Sequence, residues 1–329
     1  MQNSPNFPRN LDIKPSEAPV VGEDTQSVCI SKSSGINVGS DGRFDYAAQE
    51  NAIRRYGIAG RVWEASYAIL AYVDRPPHGE TDVEFDPPPF TNSRLSRRLT
   101  VLELGSGTGL VASRIADRCA LEEQHHLVVA TDLPEVCPLL ESNLYRHQSV
   151  RVRPLAWGNR AHTLDIASDL ALPGTAPPSA GSPRYPTHIV CSDLVYFPAL
   201  LAPLLRTLLH LTSPPFVPPE GAPAQAVLSY RIRSLVKETP FWSAFGLWFS
   251  FAPVFVKSGE GWSRFVPVAG DDETFVFVAE RRPESRRWVV PEDDRELLNG
   301  VGARGTNEGK ADDTFETILF MGMGLGKDE

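Results

Sequence analysis

The feature that most limits what this chain can fold into is the run Val101-Leu-Glu-Leu-Gly-Ser-Gly-Thr-Gly109. A short apolar stretch with strand character leads straight into three alternating glycines, and a helical pattern starts at Leu110. Glycine reaches positive φ at no steric cost and lets a ligand approach the backbone closely. The helix start behind it offers free N–H groups and a partial positive charge. A strand, a glycine turn and a helix in that order predict a doubly wound α/β unit. Such a unit binds its ligand at the carboxyl ends of the strands, near a topological switch point.

The remaining pattern extends that unit. Strands are expected over 99–104, 127–131, 150–155, 188–192, 226–230 and 275–280, and helices over 110–119, 134–147 and 197–211. Apolar strands alternating with helices predict a Rossmann-like, seven-stranded, mostly parallel sheet covered on both faces. Ahead of it, apolar residues recur with helical spacing from Val62 to Tyr72, behind bends at Gly57 and Gly60. The Ser-, Pro-, Asn- and Gly-rich residues 1–41 read as a disordered segment. A single domain is expected over 42–290, with Pro-rich insertions near 74–98, 165–187 and 212–225. A C-terminal tail follows over 291–329, in which 317–321 read as an edge strand. The apolar run 241–256 is broken by Ser243, Ser250 and Pro253 and is too short to span a bilayer; it reads as a buried hairpin or helix.

Composition narrows the function. The chain has 329 residues and a formal net charge of −9, which argues against broad binding of a phosphate backbone. Cys29, Cys119, Cys137 and Cys191 form no C-x-x-C pair, so reduced thiols are expected rather than a disulfide frame. The histidines lack metal-ligand spacing, and no metal is expected. The polar N-terminus contains no signal-peptide core. A cytoplasmic protein is expected, with the nucleus as the other compartment.

The ligand of the glycine turn has two candidates. Asp132, at the end of the second strand, can accept both hydroxyls of a ribose, so an adenosine-type ligand is expected. Gly107-Thr-Gly-Leu-Val-Ala112 also fits the dinucleotide pattern G-x-G-x-x-A, which keeps a nicotinamide enzyme in contention on this segment. Against it, no tyrosine is followed by a lysine four positions later. In favour of S-adenosylmethionine (SAM), Glu103 stands two residues before the first glycine, where SAM enzymes commonly carry an acid near the methionine portion.

The full set of motifs resembles a known family. Glu103-Leu-Gly-Ser-Gly-Thr-Gly109, Thr131-Asp-Leu-Pro134, Trp157-Gly158 and Ser192-Asp-Leu-Val-Tyr196 are similar to the motifs of the seven-β-strand protein-lysine methyltransferases, methyltransferase family 16. Gly60-Arg-Val-Trp-Glu64 is similar to that family's N-terminal Gly-x-x-Trp element. The resemblance spans roughly residues 44–282 and excludes the insertions, the start and the tail. It implies SAM as cofactor, with Gly105, Ser106 and Gly107 lining it, Asp132 holding the ribose, Trp157 bordering the adenine, Ser192 following the fourth strand into the site and Trp63 closing over the methionine end. Asn143 is assigned a structural or supporting role. Trp157 and Trp63 also admit plain packing roles.

On the acceptor side the resemblance points to a lysine of another protein, with translation elongation factors and chaperones as the targets of known members. Asp193 and Tyr196 are the expected catalytic residues. A lysine amine has an ordinary pKa near 10.4 and must lose its proton before attack. Asp193 can orient it and accept that proton, and Tyr196 offers an aromatic wall to a cation. Asp193 also reads as a helix cap before Phe197-Pro198. Arg231 and Arg233 are either substrate contacts or solvated loop charges. Asp86-Pro-Pro-Pro-Phe90 imitates the Asp-Pro-Pro-aromatic loop of amino methyltransferases, but it precedes the first strand and reads as linker. Transfer to a small amine such as nicotinamide, and a non-catalytic SAM-binding interaction protein, are the competing functions. The expected partner is a protein substrate, with no nucleic acid or membrane, for a monomer.

Overall fold

The computed structural model describes residues 6–8, 11–17, 41–73, 83–90, 98–120, 125–175, 182–258, 261–267 and 271–324. Helix α1 (Tyr46–Tyr56) is capped by Asp45, whose carboxylate accepts the Ala48 N–H at 2.8 Å. A 3-10 turn over Gly57–Gly60 leads to helix α2 (Glu64–Val73). Next come β1 (Glu84–Asp86), β2 (Thr100–Leu104), α3 (Leu110–Ala120), β3 (Leu127–Asp132), α4 (Cys137–Leu144), β4 (Val150–Pro154), α5 (Arg160–Asp169) and β5 (His188–Ser192). The chain continues through α6 (Pro198–Leu211), β6 (Gln225–Arg231), α7 (Leu235–Trp248), β7 (Phe249–Pro253), β8 (Phe255–Ser258), β9 (Gly261–Arg264), β10 (Thr274–Arg281), α8 (Asp294–Leu298) and α9 (Thr314–Gly324).

Seven strands form one sheet in the order β4-β3-β2-β5-β6-β10-β7. Pairings from β4 through β6 are parallel, and β10 runs antiparallel to both β6 and β7. The expected Rossmann-like, mostly parallel sheet is therefore present. Strand residues alternate between two cores, as a period of two requires. Leu102, Leu104, Ile189, Cys191, Leu228 and Phe277 face the layer with α6 and α7, whereas Val101, Val128, Val190, Val227 and Val276 face the layer with α2 and α3. Apolar side chains on both faces are what fix this sheet as an interior one.

Four expectations change. Residues 165–187 do not begin an insertion: α5 runs to Asp169, started by Asn159, whose side chain accepts the N–H groups of Ala161 and His162. Its apolar face carries Ile166 and Ala167 into the core, and Leu170 and Leu172 follow it in. Residues 317–321 lie within helix α9 and are no edge strand. Phe315, Ile318 and Leu319 repeat at helical spacing, and Phe315 is fully buried and stacks on Trp242 at 5.0 Å. The 74–98 stretch, read as exposed, contributes β1 to a second sheet, β1-β8-β9, with Phe85 buried edge-on between Tyr72 and Phe265. The reading of 1–41 as disordered gives way at 6–8 and 11–17: the Ile58 N–H donates to the Asn6 carbonyl at 2.9 Å, and Ser16 is buried against Gln49 and Tyr67.

The run 241–256 is neither a hairpin nor a helix throughout: it holds the end of α7, then β7 and the start of β8, two strands of different sheets. Cys119, Cys137 and Cys191 are buried and form no disulfide among the described residues, and Cys29 lies outside them. Among the described residues no helix is long and apolar enough to cross a membrane, and no group of His, Cys, Asp and Glu is placed to hold a metal.

Candidate functional site

β2 is the pivot of the sheet. The chain builds β3 and β4 on one side of it, then crosses to build β5 and β6 on the other. The carboxyl ends of β2 and β5 therefore diverge, and the crevice between them is the topological switch point. A cavity of about 570 Å³ opens there. It is lined by all ten residues expected from the sequence: Trp63, Glu103, Gly105, Ser106, Gly107, Asp132, Trp157, Ser192, Asp193 and Tyr196.

The glycine turn is held from every side. Gly105 and Gly107 both have positive φ, +57° and +54°. A Cβ on Gly105 would lie 2.9 Å from Leu194 and 3.0 Å from the Trp157 ring, so glycine is required by contact as well as by φ. A Cβ on Gly107 would meet the Ala59 carbonyl at 3.0 Å, which places the 3-10 turn of the N-terminal helices directly on the glycine turn. The Gly107 N–H donates to Asp132 at 2.8 Å, and the Asn143 amide donates to the Thr108 carbonyl at 2.9 Å. Asn143 thus supports the turn from behind.

Two buried acids stand at this end. Burial pushes the Asp132 carboxyl up to about 6, although the Gly107 and Leu133 N–H groups pull it back. Glu103 is 1% exposed, and burial raises its carboxyl to about 8. Its Oε2 has no hydrogen-bond partner among the described residues while lining the cavity. An orphaned carboxyl oxygen here fits a ligand that brings its own N–H donors, and Asp132 retains lone pairs for hydroxyl donors. Trp157, half-buried beside Gly105, offers a flat face. Two acceptors and a flat surface together fit the amino-acid, ribose and adenine parts of SAM.

The other end belongs to β5 and to the loop after β6. The Ser66 and Ser192 hydroxyls lie 2.9 Å apart, tying α2 to β5. Asp193 follows with φ +62°, a left-handed conformation that costs a non-glycine residue about 1–2 kcal/mol. Its N–H is anchored on the Ser229 carbonyl at 2.9 Å. Its side chain is fully buried and bonded by both arms of Arg233, with Nη1 to Oδ1 at 2.7 Å and Nη2 to Oδ2. Burial pushes the Asp193 carboxyl up, and Arg233 pulls against that shift. Burial works against the Arg233 charge in turn, but the bond to Asp193 holds the guanidinium above its ordinary value. Tyr196 packs edge-on against Phe197 at 4.7 Å, and burial raises its hydroxyl above the ordinary range.

Sequence reasoning missed several residues that complete the site. Gln49, 2% exposed, accepts the N–H groups of Ser16 and Val62 and donates to the carbonyls of Ser16 and Phe44, fixing the loop that carries Trp63. Trp63 itself donates to the Ile58 carbonyl at 3.0 Å, with the guanidiniums of Arg61 and Arg233 over its ring. Asn6 and Leu11 line the cavity from the N-terminal segment. The look-alike segment ending at Phe90 packs on His188, at the start of β5, whereas the cavity lies at its far end, Ser192; four residues of strand separate them by about 13 Å.

A family model described as lysine methyltransferase, methyltransferase family 16, matches residues 47–172. That span runs from α1 through α5 and holds the glycine turn, Asp132 and Trp157; Asp193, Tyr196 and Arg233 lie beyond it. The mouse protein EEF1A lysine methyltransferase 3 is 28% identical over 181 residues, covering 52% of this chain. This chain spans 61% of that relative's length. Among solved structures, a TehB-like SAM-dependent methyltransferase from Corynebacterium glutamicum is 15% identical with a TM-score of 0.36, covering 72% of this chain and 99% of its own. The methyltransferase CalH, solved in complex with SAH, is 17% identical with a TM-score of 0.29, covering 44% of this chain and 35% of its own. Likeness that loose carries no argument, and the fold rests on the strand order of the sheet. Glycine turn, Asp132 and matched segment coincide on one crevice: over residues 47–172 the chain is similar to the family 16 lysine methyltransferases, and the crevice fits SAM as cofactor.

Proposed function

We propose that the chain transfers the methyl group of SAM to a lysine side chain of another protein, with a translation elongation factor as the leading target. The observation that carries this reading is one continuous cavity. It joins the glycine turn and Asp132 at one end to Asp193 and Tyr196 at the other. Bound SAM supplies an electrophilic methyl group on a sulfonium; the protein supplies position. Asp132 receives the ribose hydroxyls, Trp157 flanks the adenine, Ser106 and Gly107 line the methionine approach, and Trp63 covers that end. The Asp193 carboxylate accepts an N–H of the incoming amine and fixes its direction. The Tyr196 ring forms a wall against it. Enclosure in an apolar crevice disfavours the charged amine and so favours the free base that can attack. Alignment of the two reacting groups then provides most of the acceleration.

The mouse relative is named for elongation factor 1A, which supports a translation factor as the target. The test is to incubate the purified chain with methyl-labelled SAM and a cell lysate. A labelled protein band is expected, and acid hydrolysis of that band should release methyl-lysine. A preparation that binds SAM yet labels no protein, or that labels only low-mass amines, would reject the reading.

A further inference from the structure

Arg233 is fixed with more care than a solvated loop charge requires. Its loop is clamped by Glu238, 1% exposed, whose carboxylate accepts the Tyr230 hydroxyl at 2.6 Å, the Arg233 N–H at 3.2 Å and the Ser234 N–H at 3.1 Å. The guanidinium lies over the Trp63 ring, 5.6 Å from its centroid, and donates to the Arg231 carbonyl at 3.1 Å. Both arms reach the two oxygens of Asp193, whose side chain has no exposure at all, whereas that of Arg233 is 30% exposed and lines the cavity. A planar fork meeting a carboxylate two-to-two fixes the rotation of the carboxylate as well as its charge.

We propose that Arg233 is the positioning residue of the transfer site, holding Asp193 ionised and in one orientation so that the carboxylate aims the acceptor amine. The inference rests on the proposed transfer to an amine. Among the described residues, the groups that face Asp193 are few. Arg233 comes from the loop after β6, Glu64 from the start of α2 and Tyr196 from its own loop; the remaining support is backbone from Ser229 and Arg231. Arg233 is the one cation among these, so the carboxylate depends on it for its charge. Each Asp193 oxygen gives one lone pair to Arg233 and keeps another for a second donor. Arg233 stabilises the charged form against burial and takes one lone pair of each oxygen, so the carboxylate is held as a hydrogen-bond acceptor of fixed direction. Its role is therefore to orient the amine, and the lysine proton departs to solvent.

The test reads Asp193 directly, without cofactor or acceptor. The protein is labelled with carbon-13 at aspartate carboxyls, and the Asp193 signal is identified by its loss in Asp193→Asn. In Arg233→Met its titration midpoint is expected about 1–3 pH units above that of the wild type. Arg233→Lys, which keeps the charge and loses the fork, is expected between the two and serves where Arg233→Met fails to fold. Identical midpoints in the wild type and either folded variant would overturn the proposal. Because no methyl group moves in this experiment, its outcome is separate from that of the lysate labelling: absent labelling sinks the lysine reading, and an unmoved midpoint sinks the role of Arg233.

Discussion

At the scale of single residues, the cavity is set apart by acids that burial keeps from ionising freely. Glu103 is the clearest case, raised by burial to about 8 against an ordinary value of 4.5. The folded chain therefore holds a proton that the unfolded chain releases as pH rises through the interval between those values. Stability falls across that interval, by up to about 1.4 kcal/mol per pH unit, and levels off above it. Glu103→Gln has no proton to lose. Thermal melts of the two proteins without ligand should diverge as pH rises from about 5.5 to about 8.5, with the glutamine variant gaining roughly 1–3 kcal/mol relative to wild type. Melts that keep the same spacing at both pH values would mean that Glu103 is already ionised in the free protein. The identity of such residues was legible wherever a short motif held them: Glu103, the glycines, Asp132, Trp157, Asp193 and Tyr196 all line the cavity. Gln49 and Glu238 do not stand out as site residues in the sequence, and Arg233 reads only as a substrate contact or a solvated loop charge, because the partners that define their roles are not marked by any local motif. Gln49 binds Ser16 and Val62, and Arg233 binds an aspartate 40 residues earlier.

At the scale of elements, the central unit from β2 through β6 was readable because β2, β3 and β5 are buried almost throughout, β4 alternates valine with arginine, and α3 and α6 are two-faced. Helix α5 escapes a reading of the sequence because its residues, Arg-Ala-His-Thr-Leu-Asp-Ile-Ala-Ser-Asp, show little periodicity and only Thr163, Ile166 and Ala167 are buried. Helix α9 reads as a strand because four apolar residues in a row, Ile318 to Met321, fit a strand as well as a helix. The deciding influence is tertiary: Phe315 enters an aromatic cluster of Tyr230, Trp242 and Phe277 that spans α7, β6 and β10. Pairing of β1 with β8 joins residues as far apart in the chain as Glu84 and Lys257, beyond the reach of any local signal. The docking of α9 by one ring has a measurable consequence. Phe315→Ala should cost about 3–4 kcal/mol, the range for removing a buried phenylalanine. Limited proteolysis should then cut within 310–324 before it touches the sheet. Cleavage no faster than in wild type would show that Ile318 and Leu319 hold the helix without it.

At the scale of the whole molecule, the choice between SAM and a dinucleotide is one of charge. A ligand in the crevice touches elements from both sides of β2, so its binding should stabilise the sheet as one cooperative unit. Either ligand brings adenosine to Asp132. The two differ beyond the ribose: a dinucleotide carries two negative phosphates there, SAM a sulfonium and an amino acid with its ammonium. Near the glycine turn the crevice presents Glu103 and Asp132, both buried, while Arg61 and Arg233 are already paired with Glu64 and Asp193. Anionic phosphates would be repelled by Asp132 and would keep Glu103 neutral, while a cationic ammonium would favour release of the Glu103 proton and give its orphaned oxygen a donor. SAM, or its demethylated product, at about a hundred times its dissociation constant should therefore add about 2.7 kcal/mol to stability and raise the melting temperature in a single transition. NAD at the same concentration should leave it unmoved. A shift with NAD equal to that with SAM would mean that adenosine alone carries binding, and that the two buried acids do not select the cofactor.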